Sequence, residues 1–275
     1  MQELQYFKPK CLNDAMVLLN KYGKNIRILA GGTDLIIALK DKIIVCPYIL
    51  DIKAIDELKN ISYSNEDGLT IGAAVSLNDI INSKEVIENY PVLIEGAKNL
   101  ANSLLRNRAT LVGNLCNASP GGDMLSPSIV LEGIAEIASI DGTRKVPLKE
   151  FFIGVKRTVL KENEIVTKVI FPCIKGKGKY LRKSRIKGHD LAQIAVAAFL
   201  KSDGGLNIVI GAAGPTPVIV EGLNNIDVLK SEEVIVEKVK SSIKPISDQR
   251  ASKEFRIAMA EYLTRQILKE LGEAK

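Results

Sequence analysis

The first 55 residues alternate between helical and strand-like apolar spacing. Asn13-Asp14 and the apolar stripe behind it predict a capped helix. The apolar segment 26–30 predicts a short strand that enters two glycines, and apolar residues at helical spacing after Asp34 predict a second helix. A further buried strand is expected at 49–52. Residues 1–55 therefore have α/β character.

Shorter elements follow from residue 61 onwards. The patterns predict a strand at 69–73, a helix capped by Ser76, a helix at 92–100, a loop at 107–123, a helix at 126–132 and paired strands at 134–140 and 144–147. This mixture of neighbouring strands and separate helices is typical of an α+β fold.

The apolar pattern breaks near Pro172. The glycine and lysine alternation at 175–179 has no apolar period and predicts a linker, so we expect a domain boundary after residue 174. Beyond it the patterns predict an antiparallel meander, with strands at about 179–184, 193–200 and 206–212, and helices at 234–239 and 255–271. The predicted fold class is α+β, with a first domain at 1–174 (subdomains at about 1–55 and 56–174) and a C-terminal domain at 175–275.

The composition indicates a folded chain that suits an anionic ligand. Hydrophobic residues make up 46% of the 275 positions, which is enough for a substantial core and excludes a disordered or fibrous chain. The 38 basic and 32 acidic residues leave a net charge of +6. This modest excess keeps nucleic-acid binding as a weak alternative.

The four cysteines, Cys11, Cys46, Cys116 and Cys173, are far apart in the sequence. They form no Cys-x-x-Cys pair, so we expect no iron–sulfur or zinc centre in this chain. The sequence shows no secretory leader and no unbroken apolar run of about 18 residues. We therefore expect a cytoplasmic chain without membrane insertion, whose cysteines are reduced core residues.

Two glycine-containing segments are candidates for a ligand site. In Ala30-Gly31-Gly32-Thr33-Asp34 a strand leads into two glycines and a helix start, where backbone N–H groups can approach a phosphate. Residues 106–123 (RNRATLVGNLCNASPGGD) are mostly small and hydrogen-bonding after Arg108, as expected of a loop that holds a polar ligand. Each segment alone is also compatible with a plain connection between two elements.

In combination, these segments resemble a known family. AGGTDL at 30–35, TIGAAVSLNDI at 70–80 and NRATLVGNLCNASPGGDMLSP at 107–127 are similar, in order and separation, to the FAD-binding domain of the molybdopterin-dependent hydroxylases of the xanthine dehydrogenase and carbon monoxide dehydrogenase type. YLRKSRIKGHDLAQIAVAA at 180–198 and GAAGPTP at 211–217 resemble the small C-terminal domain of the same flavoproteins. The resemblance covers nearly the whole chain.

The resemblance implies a fold of the vanillyl-alcohol-oxidase (PCMH) type, in which FAD lies extended between two α/β subdomains and a third domain packs beside the flavin. The first glycine segment, together with Leu35, is then expected to hold the pyrophosphate. The second segment is expected to follow the phosphates and the ribityl chain through Thr110, Gly113, Asn114, Ser119 and Asp123. Where this chain has Val112, the family usually has a second glycine. Since neither segment contains a histidine, we expect the FAD to be bound non-covalently.

Two acidic residues have different expected roles in this site. Asp34 would repel a pyrophosphate unless it points away, and we expect it to cap the following helix. Asp123 is expected to accept hydrogen bonds from ribityl or ribose hydroxyls. The sequence has no G-x-G-x-x-G fingerprint, which argues against a Rossmann site.

The densest basic run has seven Lys and Arg residues between positions 175 and 187. It is either a solvated linker and strand face or, because the matching family segment borders the cofactor, the place from which Arg182 or Lys187 approaches the flavin ring or a phosphate. Tyr180 is expected in the core. His189-Asp190 is not expected to be a catalytic dyad, because neighbours in sequence rarely face each other productively.

The function implied by the resemblance is that of an FAD-binding electron-transfer subunit. Such a subunit receives electrons from [2Fe-2S] clusters on a small partner subunit and passes them to NAD(P)+ or another acceptor, while a molybdopterin-binding large subunit hydroxylates the substrate. Two alternatives remain at this point. One is a stand-alone FAD-dependent oxidoreductase of the same fold, and the other is a non-enzymatic anion-binding or nucleic-acid-binding module built on the basic run.

Overall fold

The computed structural model describes residues 4–186, 190–223 and 230–273. Its first elements are β1 (Gln5–Phe7), α1 (Leu12–Tyr22), β2 (Ile26–Leu29), α2 (Leu35–Lys40) and β3 (Tyr48–Asp51). The three strands form a parallel sheet in the order β1-β3-β2, so the buried residues of β3 lie at its centre. The helices and strands predicted for this part of the chain are confirmed.

The start of α1 differs from the prediction. The N-cap residue is Cys11, and its side chain makes no capping hydrogen bond, so the cap predicted at Asn13-Asp14 is wrong. Asp14 lies instead in the first turn, where a carboxylate interacts favourably with the helix dipole. The helix ends at Gly23, whose φ of +48° is a conformation that glycine adopts without a Cβ penalty.

The middle of the chain forms a five-stranded antiparallel sheet and a set of short helices. The elements are β4 (Ile61–Ser64), β5 (Gly68–Gly72), α3 (Leu77–Asn82), α4 (Lys84–Asn89), α5 (Pro91–Asn99), α6 (Ser103–Arg106), α7 (Leu111–Asn117), α8 (Leu125–Val130), β6 (Ile134–Ser139), β7 (Gly142–Pro147), α9 (Leu148–Phe151), β8 (Phe152–Gly154), β9 (Arg157–Thr158) and β10 (Ile165–Phe171). The sheet order is β4-β5-β10-β6-β7. Ser76 caps α3 as predicted, in a capping box with Asp79.

The segment predicted as a continuous loop at 107–123 contains the helix α7. Thr110 caps this helix by accepting a hydrogen bond of 2.9 Å from the N–H of Gly113. Leu111, Val112 and Leu115 then lie on one helix face and are buried in the core. The many small residues hid this apolar period, and the prediction of a loop throughout was wrong.

The C-terminal part forms a four-stranded antiparallel sheet covered by two helices. Its elements are β11 (Gly176–Lys183), β12 (Ile194–Lys201), β13 (Leu206–Gly211), β14 (Val218–Val220), α10 (Glu232–Ser242) and α11 (Lys253–Glu273), with the strands in chain order. The predicted meander and both helices are confirmed, and β14 adds a strand. The predicted linker at 175–179 is wrong, because most of it belongs to the edge strand β11. A Cβ at Gly178 would lie 2.9 Å from the ring of Phe199 and 3.0 Å from Val92, so glycine here allows close packing.

Strand β12 contributes to two hydrophobic clusters. Ala195, Ala197 and Phe199 face the large core that the first two sheets share, whereas Ile194 and Val196 face the cluster under α10 and α11. This alternation places the C-terminal sheet between its own helices and the rest of the described chain. The division into domains at residue 174 stays a prediction. Among the described residues, no helix is both long enough and apolar enough to cross a membrane.

Candidate cofactor site

The first glycine segment lies at the carboxyl end of β2, the end at which parallel sheets commonly bind ligands. Gly32 has a φ of +78°, which turns the chain sharply between the strand and α2. Within the described residues, the backbone N–H groups of Gly31, Gly32, Thr33 and Asp34 have no hydrogen-bond acceptor. Four adjacent unpartnered donors match the needs of an anionic group such as a phosphate.

The residues that flank these donors hold the segment in place. Ala30 packs against the main core, and Leu35 packs on the small cluster of Leu29, Cys46 and Ile49. Their side chains therefore serve packing, and the segment offers its backbone to a ligand.

Asp34 does not have its predicted role. It occupies the N-cap position of α2, but its side chain makes no capping hydrogen bond. Its carboxylate instead accepts a hydrogen bond of 3.1 Å from Nδ2 of Asn117 and one of 3.4 Å from the hydroxyl of Thr33. The prediction of a helix cap is wrong, because the backbone of Asp34 is already helical (φ −100°, ψ −46°), whereas a capping residue is typically extended.

The second segment is organised by its own polar side chains. The Thr110 hydroxyl and the Gly113 N–H are bonded to each other, and Oδ1 of Asn114 accepts a hydrogen bond of 3.2 Å from the N–H of Met124. The carbonyl of Ser119 accepts one of 2.9 Å from Gly122. Val112, at the position where the family usually has glycine, is buried. These bonds shape the segment.

The two segments touch each other. A Cβ built on Gly31 would lie only 2.2 Å from the carbonyl oxygen of Arg108, so the absence of a side chain at residue 31 lets the two backbones meet. The hydrogen bond between Asn117 and Asp34 provides a second contact. The fold thus brings both predicted segments to one place.

Asp123 and Arg182, two predicted site residues, are bonded to each other. Nη1 of Arg182 lies 3.0 Å and 2.9 Å from the two carboxylate oxygens of Asp123, and both side chains are only 5% exposed. The hydroxyl of Tyr180, which is buried as predicted, donates a hydrogen bond of 2.8 Å to the same carboxylate. The second segment is therefore tied to strand β11.

Burial changes the pKa values of Asp123 and Tyr180. It raises the pKa of Asp123 to about 6, although the Arg182 guanidinium and the Tyr180 hydroxyl act in the opposite direction. Burial and the neighbouring carboxylate also raise the pKa of Tyr180. At neutral pH the carboxylate is ionised and paired with Arg182.

The loop after β13 makes a second contact with the second segment, which the sequence did not reveal. The N–H of Ala212 donates a hydrogen bond of 2.9 Å to the carbonyl of Pro120, and Ala212 has a φ of +57°, which is uncommon for a residue with a Cβ. Nη1 of the buried Arg256 in α11 donates a bond of 2.8 Å to the carbonyl of Ala212. Nη2 of the same arginine donates a hydrogen bond of 2.7 Å to the carboxylate of Asp248. No local motif marks Arg256, because its partners lie in distant loops.

One residue of the predicted site, Lys187, lies outside the described residues, as does His189, for which no catalytic role is expected. Asp190 accepts hydrogen bonds from the backbone N–H and the guanidinium of Arg185, at 3.0 Å and 3.2 Å, and its own carbonyl accepts one of 3.1 Å from Arg182. Asp190 is thus bonded to the end of β11 and to Arg185 just after it.

These features form a site that suits a phosphate-bearing cofactor between two segments of an α+β fold. A family model described as "FAD binding domain in molybdopterin dehydrogenase" matches residues 2–174. The chain belongs to this family, and the resemblance seen in the sequence is confirmed. The donor set fits FAD, because the four free N–H groups suit a pyrophosphate and small polar residues line the neighbouring segment.

Three relatives align with this chain over nearly their full length. The chain is 29% identical to the carbon monoxide dehydrogenase medium chain of Hydrogenophaga pseudoflava, over 96% of this chain and 95% of that protein. It is 30% identical to the xanthine dehydrogenase FAD-binding subunit of Escherichia coli, over 96% and 94%. It is also 30% identical to the glyceraldehyde dehydrogenase medium chain of Sulfolobus acidocaldarius, over 98% and 99%.

Solved structures agree with the fold. A carbon monoxide dehydrogenase from Hydrogenophaga pseudoflava, solved without the Mo-pyranopterin moiety of its molybdenum cofactor, superposes with a TM-score of 0.92 at 27% identity, covering 98% of this chain and 97% of that one. Quinoline 2-oxidoreductase from Pseudomonas putida 86 gives a TM-score of 0.91 at 26% identity with the same coverage. The predicted α+β fold is confirmed.

Proposed function

We propose that this chain is the FAD-binding electron-transfer subunit of a molybdenum hydroxylase, and that it passes electrons from [2Fe-2S] clusters of a partner to NAD(P)+ or another acceptor. The proposed partners are a molybdopterin-binding large subunit and a small subunit with two [2Fe-2S] clusters. The relatives support this proposal, because those from Hydrogenophaga pseudoflava, Escherichia coli and Sulfolobus acidocaldarius are each named as one chain or subunit of a dehydrogenase. We also place the chain in the cytoplasm.

The row of unpartnered N–H groups from Gly31 to Asp34 carries the proposal. FAD, when bound, accepts electrons singly and releases them as a pair. In the proposed complex these N–H groups bind the pyrophosphate, and the Asn117–Asp34 bond fixes the second segment beside it. The buried Asp123–Arg182 pair holds the end of that segment against the C-terminal sheet.

The basic run gives little support to a nucleic-acid-binding module. Lys179 lies 3.0 Å from Glu95 and 2.7 Å from Glu270, and Arg182 and Arg185 are paired with Asp123 and Asp190. These three cations are already matched by carboxylates. Among the described residues of the run, only the exposed Lys175, Lys177 and Lys183 are left for a polyanion, fewer than the phosphate contacts that nucleic-acid binding typically uses.

The proposal is tested by supplying substrates to the purified chain loaded with FAD. Purines, aldehydes and N-heterocycles should leave its visible flavin spectrum unchanged, because the substrate is oxidised on another subunit. The chemically reduced chain should be reoxidised by an acceptor. Adding the iron–sulfur and molybdenum subunits should restore substrate-dependent bleaching.

Two results would overturn parts of the proposal. Bleaching of the isolated chain by one of these substrates would favour a stand-alone oxidoreductase. Flavin that stays with the acid-precipitated pellet would contradict non-covalent binding, since non-covalent FAD is released into the supernatant.

A further inference from the structure

Arg108 lies directly against the first glycine segment. Its carbonyl oxygen occupies the space next to Gly31, where a Cβ would come within 2.2 Å of it. Residue 108 therefore keeps a fixed position relative to the four free N–H groups from Gly31 to Asp34.

Two other arginines near the second segment, Arg106 and Arg182, already have partners. Arg106 donates hydrogen bonds of 3.0 Å to 3.2 Å to the carbonyls of Lys98, Leu100 and Ala101. Arg182 is paired with Asp123. The side chain of Arg108, in contrast, is exposed and has no hydrogen bond or ion pair within the described residues. A guanidinium with five donors is thus available beside the segment.

The charge of Arg108 acts at the carboxyl end of the parallel sheet. Tyr6, in β1, donates a hydrogen bond to the carboxylate of Asp51 at the end of β3. That bond raises the pKa of Tyr6 to about 12, and the positive charge of Arg108 acts in the opposite direction. Asp51 is itself balanced by Lys53 at 2.7 Å. Since residue 31 follows β2 at the same end of the sheet, the Arg108 charge and the free N–H groups face one region.

We propose that Arg108 binds the pyrophosphate of FAD and supplies the positive charge that the glycine segment lacks. The guanidinium fork matches phosphate oxygens in a bidentate geometry, and backbone N–H groups alone do not neutralise a diphosphate. The carboxylate of Asp34 adds further negative charge to this segment, which increases the need for a nearby cation. The proposal rests on the proposed function only in requiring that the chain binds FAD.

The test compares flavins with and without phosphate on the full chain freed of its cofactor. FAD and riboflavin are titrated by flavin fluorescence at low and high salt, with Arg108→Gln, Arg108→Lys and the control Arg250→Gln, which removes an exposed arginine between α10 and α11. Arg108→Gln should raise the Kd for FAD about 10-fold to 100-fold, as expected for a charge-assisted bond, and reduce its salt dependence. The Kd for riboflavin should not change. Lysine should restore part of the FAD affinity, and the control should match the parent.

Each of the other possible results of these titrations contradicts a specific claim. If Arg108→Gln binds FAD like the parent with the same salt dependence, the pyrophosphate role is wrong while the proposed function stands. An equal loss of FAD and riboflavin affinity would show a role in folding only and also overturn the proposal. A parent chain that binds no FAD at all would overturn both this inference and the proposed function.

Discussion

Nδ2 of Asn117, in the last turn of α7, donates a hydrogen bond of 3.1 Å to the carboxylate of Asp34, at the start of α2. The two residues are 83 positions apart, and their bond links the two glycine-containing segments. It also holds the Asp34 carboxylate toward α7. The segments therefore depend on each other for their geometry.

Removing this link should weaken FAD binding more than it weakens the fold. Asn117→Ala deletes one partly exposed hydrogen bond to a charged group, for which we expect a loss of about 1 kcal/mol in FAD binding, or about 5-fold in Kd. The melting temperature of the FAD-free chain should change little. Asn89→Ala is the matched control, because among the described residues its amide donates only to the carbonyl of Glu85 in its own helix. Equal Kd values for the Asn117 variant and the control would contradict the prediction.

We expect removal of the Asp123 carboxylate mainly to reduce stability, because it leaves the buried Arg182 cation unpaired. Asp123→Ala leaves the 5% exposed Arg182 without its counter-ion and should lower the free energy of unfolding by about 3–5 kcal/mol. The double variant Asp123→Leu/Arg182→Met should recover most of this loss, since an apolar pair has no unmatched charge. Urea denaturation of the three chains measures the effect. A double variant as unstable as Asp123→Ala would disprove the ion-pair explanation.

The same double variant distinguishes a role of Asp123 in stability from a role in FAD binding. If Asp123 also accepts hydrogen bonds from the ribityl hydroxyls, the refolded double variant should still bind FAD weakly. Recovery of both stability and FAD affinity would limit Asp123 to holding the second segment on β11.

The ionisation of Asp123 predicts a pH effect of defined sign. Its folded pKa of about 6 lies above the value of about 3.9 for an unfolded aspartate, so the folded chain binds more protons between these values. The stabilisation that comes from protonation of this carboxylate is therefore complete below about pH 4 and is lost as the pH rises through 6, whereas the ion pair with Arg182 is present above that pH. Carboxyl-carbon NMR of the chain should show one aspartate that titrates near pH 6 and is absent in Asp123→Asn. A titration of Asp123 below pH 4 would contradict burial as the dominant effect.

Gly32→Val should abolish FAD binding and also reduce stability. Residue 32 has a φ of +78°, and a Cβ there would lie 2.7 Å from Leu29 and 3.3 Å from Ile36. The strained backbone should cost about 1–3 kcal/mol in the free energy of unfolding. Flavin titration and thermal unfolding check the two effects separately. Normal FAD binding by this variant would place the pyrophosphate elsewhere.

Periodic apolar patterns determined most of the secondary structure. The helix predicted at 92–100 is α5, and the strands predicted at 193–200 and 206–212 are β12 and β13, because long stretches that bury one face keep a regular period. The segments at 30–35, 70–80 and 107–127, together with those at 180–198 and 211–217, were enough to indicate the family. Prediction from the apolar period failed where small residues dominate the sequence. The Lys-Gly alternation at 175–179 looked like a linker, but its glycines make room for Phe199 and Val92 in a packed sheet.

The sequence by itself thus determined the family and most of the helices and strands, and it predicted the two segments that are expected to bind FAD. Only the tertiary structure decided which polar groups are bonded to each other and which are left free. Asp34 was expected to cap its own helix and is bonded to Asn117, while Asp123 was expected to face the ribityl chain and is bonded to Arg182, 59 positions away. A local pattern shows which side chains can donate or accept. The partner that each of them finds depends on how the sheets pack, because packing brings together groups that are remote in the chain.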